Sequence, residues 1–159
     1  MHGLSKRPTK QSPLPLYVAF LDIKAAYDTV WREGLWKTLY DQGIRGKLWR
    51  NIRALYSTQY KKVTTHSSES GIFETDLGLA QGAILSPILF TLFINDLIHR
   101  LYEVPGAGIR FSKELRIVCL FFADDIALIS HSADSLRQSL QVTQSFAEKY
   151  RFRLYHPKT

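Results

Sequence analysis

Leu120-Phe121-Phe122-Ala123-Asp124-Asp125-Ile126-Ala127-Leu128-Ile129 sets two adjacent carboxylates in the middle of an otherwise apolar run. With Ile117 and Val118 just upstream, the flanks are short runs rich in Phe, Ile and Val, the pattern of two strands with the acid pair at the tip between them. Desolvating one unpaired carboxylate is costly, and a neighbour of the same sign adds repulsion. Two readings meet that constraint: a solvated Asp-Asp turn capping the next segment, or a divalent cation that neutralises the pair. Mg²⁺ takes one or two carboxylates together with substrate phosphates, and two such ions can clamp the attacking and leaving oxygens of a phosphoryl transfer.

The chain around this stretch has 159 residues, one domain's worth and enough for a real core. Its 21 Lys and Arg against 14 Asp and Glu give a formal charge of +7, a balance that suits a polyanion such as nucleic acid or an anionic membrane. The single cysteine, Cys119, lies in an apolar strand and reads as a small buried hydrophobe, which excludes a disulfide framework or a thiolate zinc site within one chain. No apolar stretch follows Lys6, Arg7 and Lys10 to make a signal peptide. The longest apolar window, Ala83 to Ile94, contains Pro87 and is too short to cross a bilayer. The expectation is a soluble intracellular protein of the nucleus or cytoplasm, neither secreted nor transmembrane.

Residues 1–14 are rich in Pro, Ser, Lys and Arg and read as a flexible basic lead-in to one domain over 15–159. Leu16 to Leu21 has strand composition, and Asp22 closes it, so a further acid stands at a strand end. Asp28 fits an N-cap or first-turn acid for a helix beginning near Val30. That helix carries Leu35, Leu39 and Tyr40 and stops at Gly43. The next has Leu48, Ile52 and Leu55 on one side, with Arg45, Lys47, Arg50 and Arg53 as a solvated face. Lys61 to Thr65 and Gly71 to Glu74 suggest a hairpin. Gly78 to Pro87 combines glycines, which let a backbone approach a ligand, with a helix start at Ser86-Pro87; a plain N-cap turn reads the same way. Ile88 to Leu101 is apolar enough to predict a buried helix, Ala133 to Tyr150 an amphipathic one, and Phe152 to Tyr155 an edge strand.

Three of these stretches, in this order, resemble the palm of reverse transcriptases, most closely those of non-LTR (LINE-type) retrotransposons. Phe20-Leu21-Asp22-Ile23-Lys24-Ala25-Ala26-Tyr27-Asp28-Thr29-Val30 is similar to the family's first metal-binding motif. Gln81-Gly82-Ala83-Ile84-Leu85-Ser86-Pro87-Ile88-Leu89-Phe90, continuing to Ile94-Asn95-Asp96-Leu97, resembles its glutamine-glycine motif in the long LINE form. Phe122-Ala123-Asp124-Asp125 resembles its aromatic-x-Asp-Asp box. Phe122 stands where tyrosine is usual, and Tyr155 where an asparagine generally precedes the lysine-threonine pair.

The resemblance implies an α/β (α+β) polymerase palm, an antiparallel sheet with helices packed on one face, lacking complete fingers and thumb. It implies RNA-directed DNA polymerase chemistry with two ions of Mg²⁺ or Mn²⁺, an RNA template, a DNA primer and deoxynucleoside triphosphates, in a form weak or inactive as an isolated fragment. Asp22 and Asp124 are implied as bridging metal ligands and Asp125 as the supporting acid. Tyr27 is implied under the sugar, where it excludes a 2′-hydroxyl, Gln81 and Gly82 along the nucleotide and template, and Lys158 as a candidate proton donor to the leaving pyrophosphate. The alternative is a non-catalytic remnant of such an enzyme, kept as a nucleic-acid-binding or scaffold module.

Overall fold

The computed structural model describes residues 14–57 and 59–155. The lead-in up to residue 13 and Lys158 lie outside them. Its centre is a four-stranded antiparallel sheet built from β1 (Tyr17–Ile23), β6 (Cys119–Phe122), β7 (Asp125–Ser130) and β8 (Leu154–Tyr155), in the order β6-β7-β1-β8. Side chains alternate across a strand, so each strand presents two different faces. Ile23, Ile126 and Leu128 turn inward to the core, with Leu21, Cys119 and Phe121 packed against it. Phe20, Leu120 and Phe122 point the other way and are exposed, Phe20 and Phe122 to more than 80% (81% and 82%). One face of the sheet is therefore covered and the other bare.

The cover is helical. Between β1 and β6 the chain forms α1 (Arg32–Asp41), α2 (Gly46–Leu55), a small hairpin of β2 (Gln59–Lys61) and β3 (Phe73–Thr75), α3 (Leu85–Glu103), and a second hairpin of β4 (Ile109–Arg110) and β5 (Arg116–Ile117). α4 (Ala133–Tyr150) follows β7. α4 packs on β1, β7 and α3; α3 packs on α1, and α1 on α2. Leu89, Phe90, Phe93, Ile94, Leu97 and Leu101 give α3 its buried stripe at helical spacing. Phe93, Phe146, Tyr150 and Phe152 form the aromatic heart, with Phe146 stacked on Tyr150 at 4.3 Å and Phe93 edge-on to Tyr150 at 5.2 Å. Arg151 takes a left-handed conformation (φ 62°) at the end of α4, and the Phe152 amide then bonds the Ala147 carbonyl at 3.1 Å, returning the chain to the sheet as β8.

Several expectations need correction. α1 starts at Arg32, not near Val30, with Trp31 at the cap position and Glu33 as the first-turn acid, so Asp28 lies ahead of both places. Thr29 instead closes a turn on Ala25 through its amide (3.0 Å) and hydroxyl (3.1 Å). Leu48 and Leu55 of α2 are 59% and 65% exposed, because α2 packs through Ile52 and Trp49. α3 is buried on one side only, with Ile88 left exposed. It starts at Leu85, and Ser86 is no cap: its hydroxyl bonds the Ala80 carbonyl (2.6 Å) and the Tyr56 hydroxyl (3.2 Å). β1 runs on through Asp22 to Ile23, and β2 and β3 flank a wider hairpin than the composition suggested. Among the described residues no helix is long and apolar enough to cross a membrane.

Two outcomes follow from the two-faced sheet. Phe146→Ala, which empties a fully buried ring site, should cost about 3–5 kcal/mol in denaturant unfolding, whereas Phe122→Ala on the bare face should cost less than about 1 kcal/mol. Burial pushes the Cys119 thiol up to about 11, so alkylation of the folded protein near pH 8 should be slow and accelerate toward pH 11. Because the fold disfavours the thiolate, stability should fall as pH climbs above the unfolded thiol's value, about 8.5, and keep falling toward the folded one.

Candidate active site

The sheet register decides where the acids meet. Asp22 lies directly opposite Asp125 across the β1/β7 pair, and opposite Tyr155 on its other side; Asp125 in turn lies opposite Phe122. Residues directly opposite in an antiparallel pair share a face, with Cβ atoms roughly 4.5–5.5 Å apart. Val18, Phe20 and Asp22 alternate outward along β1, so the facing carboxylates belong to the bare side of the sheet.

Asp124 occupies the two-residue turn between β6 and β7. Ala123 takes φ 53° there, and the Ile23 amide donates to the Asp124 carbonyl at 3.1 Å, tying that turn to the end of β1. Asp22 and Asp124 are half-buried and Asp125 exposed. None of the three forms a salt bridge among the described residues.

Among the described residues no group of three or more His, Cys, Asp or Glu side chains converges closely enough to hold a metal by itself. The donor set is nevertheless the right chemistry for a hard cation. It consists of carboxylate oxygens, two of them on facing register positions and a third residue adjacent, on an open face where phosphate oxygens can complete the coordination.

A second cluster lies beyond the end of β1. Tyr27, Gln81, Gly82, Ala83, Ile84, Ser86 and Pro87 line a cavity of about 550 Å³. The Tyr27 ring rests against buried Phe90, 5.2 Å between centroids and 32° between planes. Gly82 has φ +82°, and a Cβ built on it would meet nothing within 4 Å, so its side of the cavity is open backbone. The structure thus gathers Tyr27, Gln81 and Gly82 around one cavity, and Asp22, Asp124 and Asp125 at one end of the sheet.

Two residues not singled out for the site in the sequence hold the second cluster together. Gln81 Nε2 donates to Asp28 Oδ2 at 2.8 Å. Just upstream, the Gly78 amide donates to the Val30 carbonyl (2.9 Å) and the Leu79 amide to the Tyr27 carbonyl (2.7 Å). Gly78 is required, since a Cβ there would lie 2.8 Å from the Asp28 carbonyl oxygen and its φ is +84°. Arg32, only 4% exposed, donates to the carbonyls of Gly78 (2.8 Å), Thr75 (2.9 Å), Tyr56 (3.0 Å) and Leu77 (3.0 Å) and to Gln59 Oε1 (2.7 Å). Burial pulls its guanidinium below the ordinary value, partly offset by Asp76 and Tyr56. The sequence gives no hint of this role: Asp28, four positions before Arg32, offers a local partner, whereas the carbonyls that Arg32 gathers come from distant segments.

Comparison with known proteins gives the family and the fold. The family model described as reverse transcriptase (RNA-dependent DNA polymerase) matches residues 2–159. The RNA-directed DNA polymerase from mobile element jockey of Drosophila funebris is 29% identical over 139 residues, covering 82% of this chain and 14% of that protein. The Pol polyprotein from type-1 retrotransposable element R2 of Nasonia vitripennis is 28% identical over 125 residues, 79% of this chain and 12% of that protein. The chain therefore spans only a small part of the length of these relatives. Among solved structures, telomerase from Candida albicans, determined with a fragment of telomeric RNA, superposes with a TM-score of 0.64 at 13% identity, covering 89% of this chain and 27% of that one. That likeness concerns the fold, which it shows to be the mixed α/β reverse-transcriptase architecture. With the family matched over nearly the whole chain and jockey and R2 among its relatives, the chain belongs to the reverse transcriptase family, as a domain of the non-LTR, LINE type.

Proposed function

We propose that residues 15–159 are the palm portion of an RNA-directed DNA polymerase, which joins deoxynucleotides to a DNA primer on an RNA template. The observation that carries this reading is the facing pair Asp22 and Asp125, with Asp124 in the adjoining turn. Like charges directly opposite in a sheet destabilise it, so a cation between them removes a cost that the fold otherwise bears. Asp22 and Asp124 would be the principal ligands, and Asp125 the supporting acid, for two ions of Mg²⁺ or Mn²⁺. When bound, such ions supply Lewis-acid stabilisation at the attacking 3′-hydroxyl and at the leaving pyrophosphate oxygen.

The other residues position the substrate. Tyr27, backed by Phe90, presents its ring to the sugar and leaves no room for a 2′-hydroxyl. Gly82 lets the nucleotide approach the backbone. A carboxylate can only accept hydrogen bonds, so Asp28 fixes the Gln81 amide with its nitrogen turned inward and its carbonyl oxygen free as an acceptor. Lys158, outside the described residues, remains the candidate acid for the leaving group. Positioning of template and primer supplies much of the rate in such reactions, so the chain alone should extend primers weakly or not at all.

Two measurements test this reading. Titration of Mn²⁺ should show an affinity at least about tenfold lower, ~1.4 kcal/mol, for Asp22→Asn and for Asp124→Asn than for wild type. Equal affinities would defeat the metal assignment, and RNA binding indifferent to EDTA and to both variants would favour the non-catalytic remnant. In a double-mutant cycle on deoxynucleotide binding, Asp28→Ala should weaken affinity by about three- to tenfold, near the value of one hydrogen bond. Its effect should shrink in a Gln81→Ala background, because Asp28 orients that amide.

A further inference from the structure

The positive charge is not spread evenly along the chain. From Gln42 to Ser68 there are six Lys and Arg (Arg45, Lys47, Arg50, Arg53, Lys61 and Lys62) and no Asp or Glu. The rest of the chain holds 15 cations against 14 acids. Nearly all of the +7 charge thus resides in one stretch, and four of its six cations fall on or beside the ten-residue helix α2.

Three of these four form a row. Lys47, Arg50 and Arg53 are three positions apart and share one side of the helix. Arg45, immediately before it, lies over the exposed Tyr40 ring at 4.6 Å. Arg53 reaches Glu33 at 3.5 Å and lies over the Trp49 ring at 5.2 Å. Lys47 and Arg50 are exposed and have no partner among the described residues. Three-residue steps advance about 4.5 Å along a helix axis, so the row presents closely spaced cations to a polyanion that carries one phosphate per ~3.4 Å of duplex axis on each strand. Only Leu48 and Leu55 are exposed apolar neighbours on α2, too little to seat an interfacial helix in a bilayer, which needs a broad apolar face.

We propose that α2 is a second nucleic-acid contact, a surface for phosphate backbone that works without divalent metal and apart from the carboxylate pair. α2 packs on α1 in the helical layer, whereas Asp22 and Asp125 face out from the bare side of the sheet. The C-terminal end of α2 leads into Tyr56, whose hydroxyl meets Ser86 at the wall of the Gln81 cavity, so this basic row begins beside the nucleotide cluster. The partner class rests on the reverse-transcriptase reading; the surface itself is read from charge and exposure.

The test is binding of fluorescent RNA and RNA–DNA duplexes to the whole chain in EDTA across a KCl series. Wild type should bind both, with log K falling linearly in log salt. Lys47→Ala/Arg50→Ala should flatten that slope by about 1.8, the release of counterions from two phosphates of a duplex. Arg110→Ala/Lys113→Ala, which removes the same charge elsewhere, should leave the slope unchanged, and matching thermal unfolding of all three proteins secures the comparison. Wild type that binds while both variants show equal slopes overturns the α2 surface and spares the polymerase assignment. Loss of binding to anionic phosphatidylserine vesicles in the α2 variant, with RNA binding intact, overturns it in favour of a membrane surface. Absence of any salt-dependent nucleic-acid binding by wild type overturns both readings.

Discussion

Asp22 and Asp125 stand face to face because the core leaves the strands no other register. Side chains alternate along a strand, so a slip of one residue would exchange the faces of the sheet. In β1 such a slip would carry Ile23, 1% exposed, out of the core and bring Asp22 into it; in β7 it would do the same to Ile126 and Leu128, exchanging them with Asp125 and Ala127. Burying one large aliphatic side chain is worth roughly 1.5–3 kcal/mol, while the repulsion between opposed like charges on a wet surface is a few tenths to about 1 kcal/mol. Packing decides the contest, and the fold keeps two like charges opposed across the sheet.

The cluster around Tyr27 and Gln81 is held by a different device. The loop that carries Tyr27 and the loop that carries Gln81 are joined backbone to backbone at Gly78 and Leu79 and side chain to side chain at Asp28. Arg32 underlies both, filling its fork with five oxygens drawn from Tyr56, Gln59, Thr75, Leu77 and Gly78. A guanidinium suits this position because its donors are fixed in one plane, so carbonyls from several segments can be fixed relative to one another. A lysine there would keep the charge and lose the geometry.

How far the sequence reveals this depends on whether an interaction has a local signature. α4 was predicted with its observed limits, since its period is local. Its buried stripe, however, includes Ser135, Ser139 and Thr143, with Leu136 and Leu140 only partly covered. Small residues let the helix approach its neighbours closely, and Ser139 and Thr143 satisfy their hydroxyls on carbonyls four positions back. α2 misled in the opposite sense: Leu48 and Leu55 have helical spacing, but spacing alone does not say which side is covered. The three acids were visible because each interrupts or ends an apolar run. The roles of Asp28 and Arg32 were not, because the Gln81 amide that bonds Asp28 and the carbonyls that Arg32 gathers lie more than 20 residues away and follow no period.

The opposed acids also constrain how the chain reaches its native state. Asp22 and Asp125 are separated by about a hundred residues, and β1 pairs with β7 and β8 but with no strand near it in sequence. Closing so long a loop gives up chain entropy before any contact repays it, which slows the search. α1, α2 and both small hairpins can form from neighbours alone, whereas the central ladder must wait for a distant strand to arrive. A chain synthesised only as far as α3 therefore holds Asp22 without its counterpart: the two acids meet only when β7 closes on β1.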